Sequence, residues 1–103
     1  MRATTKRVNA PIGKRVIVRS AMSGVHHGIL VAVDRDIVTL SDSERLWYWK
    51  VAKMTGQVSS CSELATYGMD RAGTKVGARL SWIMVLGVNE IIPVAQAALG
   101  SYQ

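Results

Sequence analysis

A chain of 103 residues makes one domain, and folding lets it bury roughly 60 % or a little more of its unfolded surface. Apolar residues make up 49 % and mean hydropathy is +0.15, high for so short a chain, so apolar surface shared between subunits and hence a homo-oligomer are expected. The lone Cys61 excludes an internal disulfide framework, and no stretch reads as a signal peptide or as a membrane span of about 18 residues, so a soluble, cytoplasmic protein is expected.

The net charge of +6 is unevenly placed. Arg2, Lys6, Arg7, Lys14, Arg15 and Arg19 all precede the first acidic residue, Asp34, and from there the charges balance. A basic front attracts anions such as nucleic acid, nucleotides or an acidic partner. Residues 1–12 read as a flexible basic arm, which serves solubility equally well, and residues 13–103 as a single α+β ligand-binding domain.

Residues 14–19, Lys-Arg-Val-Ile-Val-Arg, have a β-branched centre between basic ends, the pattern of a short strand. A small-residue turn from Ser20 to Gly24 leads to a second strand over 25–33. Asp34-Arg35-Asp36 is a tight connection and Ile37 to Leu40 a third strand, so an antiparallel meander is expected. Gly28 inside the second strand marks a bulge or a close approach by another backbone or a ligand. Ser41-Asp42-Ser43-Glu44 separates this meander from the aromatic block, and Lys50 to Val58 reads as a loop. Ser60-Cys61-Ser62-Glu63 has capping-box spacing, with Ser60 and Glu63 set to satisfy free amides at a helix start, and Gly68 fits the left-handed residue that ends the helix. From Thr74 to Leu86, Val76, Ala78, Leu80, Trp82, Met84 and Leu86 alternate with Lys75, Gly77, Arg79 and Ser81, the clearest strand pattern in the chain. Gly87 interrupts it, Glu90-Ile91-Ile92 resumes as strand, Pro93 stops that strand, and Val94 to Leu99 adds a helical turn. The fold class expected is α+β, a small antiparallel sheet with one or two short helices.

No catalytic group emerges from this order. His26 and His27 are adjacent, so a strand sends them to opposite faces, and no further His or Cys stands at ligand spacing for a metal. Cys61 lies in the first turn of the helix with no paired base, the carboxylates are scattered at turns, and a glycine-rich phosphate loop is missing. Neither an enzyme nor a cofactor is expected.

The binding inventory is richer. Arg45-Leu46-Trp47-Tyr48-Trp49 concentrates aromatic surface beside a cation in a chain with no Phe. In an extended strand Arg45, Trp47 and Trp49 share one face and Tyr48 takes the other. Such a face suits a nucleobase with its phosphate, because guanidinium forks grip phosphate and flat π surfaces stack on bases. Buried core or a subunit interface is the competing use of the same aromatics. Arg19, His26, Arg45, Trp47, Trp49 and Arg79 form the candidate ligand-binding set, with Trp82 nearby in the pattern; Arg79 and Trp82 face opposite sides of their strand.

Val18-Arg19, Ser23-Gly24-Val25-His26, Gly28, Arg45-Leu46-Trp47-Tyr48-Trp49, Leu64-Ala65, Gly68 and Glu90-Ile91-Ile92-Pro93 together resemble the phage Thoeris anti-defence sponge family of the first type. The resemblance spans roughly residues 14–98. It implies a non-enzymatic protein that sequesters cyclic ADP-ribose isomers made by bacterial TIR-domain immune proteins, in some members cyclic trinucleotides as well. It also implies dimers that assemble into hexamers, pockets formed between subunits, and a place in the cytoplasm of an infected bacterial cell. Arg19 and Arg45 would hold phosphates, Trp47 or Trp49 would stack on a base or fix Arg45, and His26 would add a contact. Two departures bear on which nucleotide is bound: Glu44 stands where the family commonly has a second arginine, and the link from Trp49 to the helix is longer. A small basic nucleic-acid-binding module and a structural phage protein are the alternative classes.

Overall fold

The structure is a computed structural model and describes residues 9–52 and 59–103. Most of the expected basic arm, residues 1–8, and residues 53–58 of the expected loop lie outside the described residues.

The fold is α+β and mostly antiparallel sheet. Strand β1 (Arg15–Ser20) turns into β2 (Gly24–Asp34), which turns into β3 (Ile37–Tyr48). Helix α1 (Cys61–Tyr67) and a 3-10 turn (Arg71–Gly73) follow, then the short β4 (Lys75–Val76), β5 (Leu80–Val85), β6 (Val88–Pro93) and a 3-10 helix (Gln96–Tyr102). Sheet order is β4-β3-β2-β1-β6, with β5 alongside β4 on the same edge of β3.

The middle of β1 is apolar on both faces, and Val16, Ile17 and Val18 are fully buried. Each contributes roughly 1.5–3 kcal/mol when enclosed. Ile17 faces a core formed with Val25, Leu46, Leu64, Ala65 and Tyr102 beneath α1. Val16 and Val18 face the other way, into a second core with Leu30, Val38, Leu40 and Val85.

That second core is closed by curling of the sheet. β5 lies on the β3 edge and β6 on the β1 edge, yet only Leu86 and Gly87 connect them. Four strand spacings in a flat sheet come to about 19 Å. Three Cα steps reach only about 11 Å, so the two edges must be rolled toward each other. Gly87, at φ +68, makes this crossing, secured by the Val88 amide donating to Asp36 O at 2.9 Å and the Ser20 hydroxyl to Leu86 O at 2.7 Å.

Three local expectations are revised. The aromatic block is not separated from the meander, because β3 runs unbroken through Ser41-Asp42-Ser43-Glu44. Asp42, at φ +48, absorbs a register shift opposite β2, and its polar neighbours Ser43 and Glu44 are buried. The single strand expected from Thr74 to Leu86 is two, because the chain steps along β3 at residues 77–79, where the Gly77 amide donates to Arg45 O at 2.8 Å. At the start of α1, Ser60 is the N-cap residue, but its hydroxyl bonds the Glu63 carboxylate rather than a free amide. Gly68 does end the helix at φ +88.

Gly28 has a steric reason. A Cβ there would stand 3.0 Å from Leu40 Cβ, 3.0 Å from Ser41 O and 3.1 Å from Ser43 Cβ, because β3 approaches closely at its register shift. Gly28→Ala is therefore expected to cost roughly 1–3 kcal/mol through overpacking, read as a lower urea midpoint with an unchanged slope.

Candidate ligand-binding site

The arginines sort the surface. Among the described residues, Arg15 pairs with Asp42 at 2.6 Å, Arg19 with Glu90 at 2.8 Å, Arg35 with Asp34 at 3.5 Å, and Arg71 and Arg79 with Glu44 at 3.1 and 3.0 Å. Arg45 makes no ion pair among the described residues.

Arg45 is held by flat contacts instead. Its guanidinium carbon stands 4.0 Å from the centroid of the Trp47 ring. Close to it is the turn glycine Gly24, where an added Cβ would come within 2.9 Å of an Arg45 terminal nitrogen. Gly24 has φ +81, so both its backbone and its missing side chain suit the position. The Arg45 Nε is buried and has no hydrogen-bond partner, while Trp47 is 56 % exposed. A guanidinium stacked on an exposed indole has the chemistry to receive an anion attached to a flat ring.

His26 lies directly across from Arg45 in the β2 and β3 register. It is buried, and its Nε2–H donates to Ser23 O at 2.9 Å, which leaves Nδ1 as a buried acceptor without a partner. Burial lowers its pKa, the Ser23 hydrogen bond opposes this, and the Arg45 charge lowers it further, so the ring is neutral at pH 7. The buried Ser43 hydroxyl, two residues before Arg45 on β3, also lacks a partner. Three unsatisfied polar atoms thus lie on neighbouring strand positions, and buried polar groups are rarely left so.

The six sequence-selected residues fall into three places. His26, Arg45 and Trp47 come together. Trp49 does not share their face: the register shift between Leu46 and Tyr48 breaks the period of two, β3 ends, and Trp49 packs on the core beneath α1. There its buried Nε1 has no partner, and it lines an open recess of about 390 Å³ with Arg19, Cys61 and Glu90. Arg79 is the third place, a clamp: its terminal nitrogens donate to Asp42 at 3.0 Å, Glu44 at 3.0 Å and Tyr102 O at 2.7 Å.

Around that clamp is a polar network that local sequence does not reveal. Arg15 donates to His27 Nδ1 at 2.9 Å, and arginine can only donate, so His27 carries its proton on Nε2 and this N–H donates to Glu44 Oε1 at 2.8 Å. Arg71 adds a bond to Glu44 and one to Ser101 O. Burial pushes the Glu44 carboxyl up, but hydrogen bonds from His27 and Arg71 and the arginine charges outweigh it, and its pKa ends lowered. Glu44 stands where the resembled family commonly has an arginine. It points to the opposite face from Arg45, so that departure strengthens the clamp rather than the cation site. The missed signal was two carboxylates within four residues in a segment otherwise suited to a strand.

The arrangement defines a class: a small rolled antiparallel domain with an exposed cation–indole pair on β3. The chain belongs to the family described as domain of unknown function DUF6948, whose profile matches residues 13–102. No curated protein and no solved structure matches it.

The fully buried His27 ring gives the clamp a pH signature. Burial lowers its pKa to about 4, against the Glu44 hydrogen bond and with help from the Arg15 charge. The unfolded chain takes up this proton near pH 6.5 and the folded one only near 4, so stability falls as pH drops through that window and this contribution levels off below it. Urea denaturation between pH 7 and 4 is expected to show a loss of order 3 kcal/mol from this group. His27→Gln should flatten the slope in that window.

Proposed function

We propose that the chain is a phage-encoded sponge that binds cyclic nucleotide immune signals, cyclic ADP-ribose isomers first and cyclic trinucleotides second, and holds them without cleaving them. The observation that carries this reading is Arg45, the described arginine without a carboxylate, lying 4.0 Å from the exposed Trp47 ring. A phosphate on the guanidinium and a base on the indole match that pair. The resemblance of the Arg-Leu-Trp-Tyr-Trp block and its surroundings to the sponge family supplies the ligand class. Capture requires affinity rather than turnover, and a guanidinium packed on Trp47 and close to Gly24 has less freedom to lose when a ligand arrives, which lowers the cost of binding.

Charge placement favours a small ligand over a long nucleic acid. Five described arginines are already paired with four carboxylates, so the described arginines do not form an open phosphate track.

Native mass spectrometry with cyclic ADP-ribose isomers and with cyclic tri- and dinucleotides is expected to show a retained, unhydrolysed ligand. Arg45→Ala should weaken that binding roughly 10- to 150-fold, the loss of one charge-assisted hydrogen bond, with the fold intact by circular dichroism. Absence of binding to every one of these compounds at micromolar concentration would sink the reading. Binding that extends to long strands and collapses with added salt would transfer the protein to the nucleic-acid class.

A further inference from the structure

Arg45 and His26 face each other across β3 and β2 as a donor and an acceptor that do not meet. The Arg45 Nε–H and the His26 Nδ1 are both buried and both without a hydrogen-bond partner. Neither can swing to the other without breaking what holds it: the His26 ring is tied through Nε2–H to Ser23 O at 2.9 Å, and the guanidinium carbon lies 4.0 Å from the Trp47 centroid. The Ser43 hydroxyl, which can both donate and accept, is the third such atom. His26 and Ser43 are 3 and 1 % exposed, so bulk solvent does not serve them.

Strand alternation brings the three atoms to one face. Gly24, His26 and Gly28 lie two apart on β2, in unbroken register with β1, so the only side chain that β2 places on this face from Gly24 to Gly28 is His26. The bare positions on either side of it are taken up by β3. An Arg45 terminal nitrogen would stand 2.9 Å from a Cβ at Gly24, and Ser43 Cβ would stand 3.1 Å from a Cβ at Gly28. His26 is thus bracketed by the polar side chains of Arg45 and Ser43 rather than by neighbours from its own strand.

We propose that these three atoms bind one ordered water, which accepts from Arg45 Nε, donates to His26 Nδ1 and makes its third bond with Ser43 Oγ, and that His26 and Ser43 act as positioning residues for the Arg45 cation. One donor, one acceptor and one hydroxyl are the set that a water satisfies, and buried waters make about three such bonds. The Arg45 donor disfavours a cation at this spot and the His26 lone pair disfavours an anion, which leaves a small neutral molecule with both functions. The guanidinium is then fixed twice, by the indole against its flat face and by the water at Nε, and its terminal nitrogens are left for an anion. His26 serves the site through Arg45 without touching a ligand. The effect on ligand affinity rests on the nucleotide reading above; the water and the ordering of Arg45 do not.

A high-resolution crystal structure of the unliganded protein should show one water within about 3.2 Å of Arg45 Nε, Ser43 Oγ and His26 Nδ1. In solution, NMR on the same protein should show cross-relaxation between the Arg45 Nε–H and a long-lived water. Both readouts need no variant. In Ser43→Ala the order parameter of the Arg45 Nε–H should fall below about 0.6 while backbone amide shifts away from the site hold. The same substitution should weaken cyclic ADP-ribose binding roughly 2- to 10-fold, the loss of one neutral hydrogen bond from the support of Arg45. Density without a water there, or with the three side chains bonded directly to one another, overturns the proposal. An Arg45 order parameter that Ser43→Ala leaves unchanged overturns it too, as does an unchanged affinity in a protein that binds the nucleotide. A water and an ordered Arg45 in a protein that binds no nucleotide would uphold this inference and sink the ligand reading instead.

Discussion

Glu44 brings a negative charge into a nearly closed space, and much of the domain is arranged around satisfying it. A buried carboxylate without partners costs several kcal/mol. Here one oxygen receives His27 from β2, Arg71 from the 3-10 turn and Arg79 from the chain ahead of β5. Two of these donors also hold the C-terminus, Arg71 through Ser101 O and Arg79 through Tyr102 O. The Tyr102 ring then closes over His27, with ring centroids 4.9 Å apart. One side chain of β3 thus joins the meander, the segment after α1 and the end of the chain. The opposite face of the same strand is left to Arg45 and Trp47.

This division of labour between the two faces of β3 explains why neighbouring charged residues behave so differently. Glu44 and Arg45 are adjacent in sequence, yet strand geometry sends one into the clamp and the other onto the indole. Had they shared a face, Arg45 would have had an acid at hand and the indole would have no unpaired arginine beside it. Asp42 contributes from the same segment by taking Arg15 and Arg79, which keeps those guanidiniums from the opposite face.

The meander over β1 and β2 was legible because Val and Ile runs alternate with turns whose chemistry is local, such as Gly24 and the Arg35 turn at φ +56. Three features were not legible, each because its cause lies far along the chain. Ser41-Asp42-Ser43-Glu44 has turn-like composition, and only the arginines 27 to 37 residues distant make it a strand. Leu86 and Gly87 look like the turn of a hairpin, but the strands they join belong to opposite edges of the sheet. Trp49 leaves the face of Trp47 because β4 pairs with β3 out of register, which periodicity within β3 cannot show. Of the candidate site, the cation and its indole were readable from composition. The partnerless Nδ1 of His26 and the close approach of Gly24 to Arg45 required the pairing of β2 with β3.

The crossing at Leu86 and Gly87 also governs how the chain reaches this state. Because it delivers β6 to β1, the first strand is completed by the last, with Arg19 and Glu90 separated by 71 residues. Contacts of such separation pay loop-closure entropy before they return any stabilisation, and they slow folding. During synthesis β1 therefore leaves the ribosome with one edge open and keeps it open until nearly the whole chain has followed. The apolar centre of β1, which anchors both cores once folded, is for that interval the segment most in need of protection from other nascent chains.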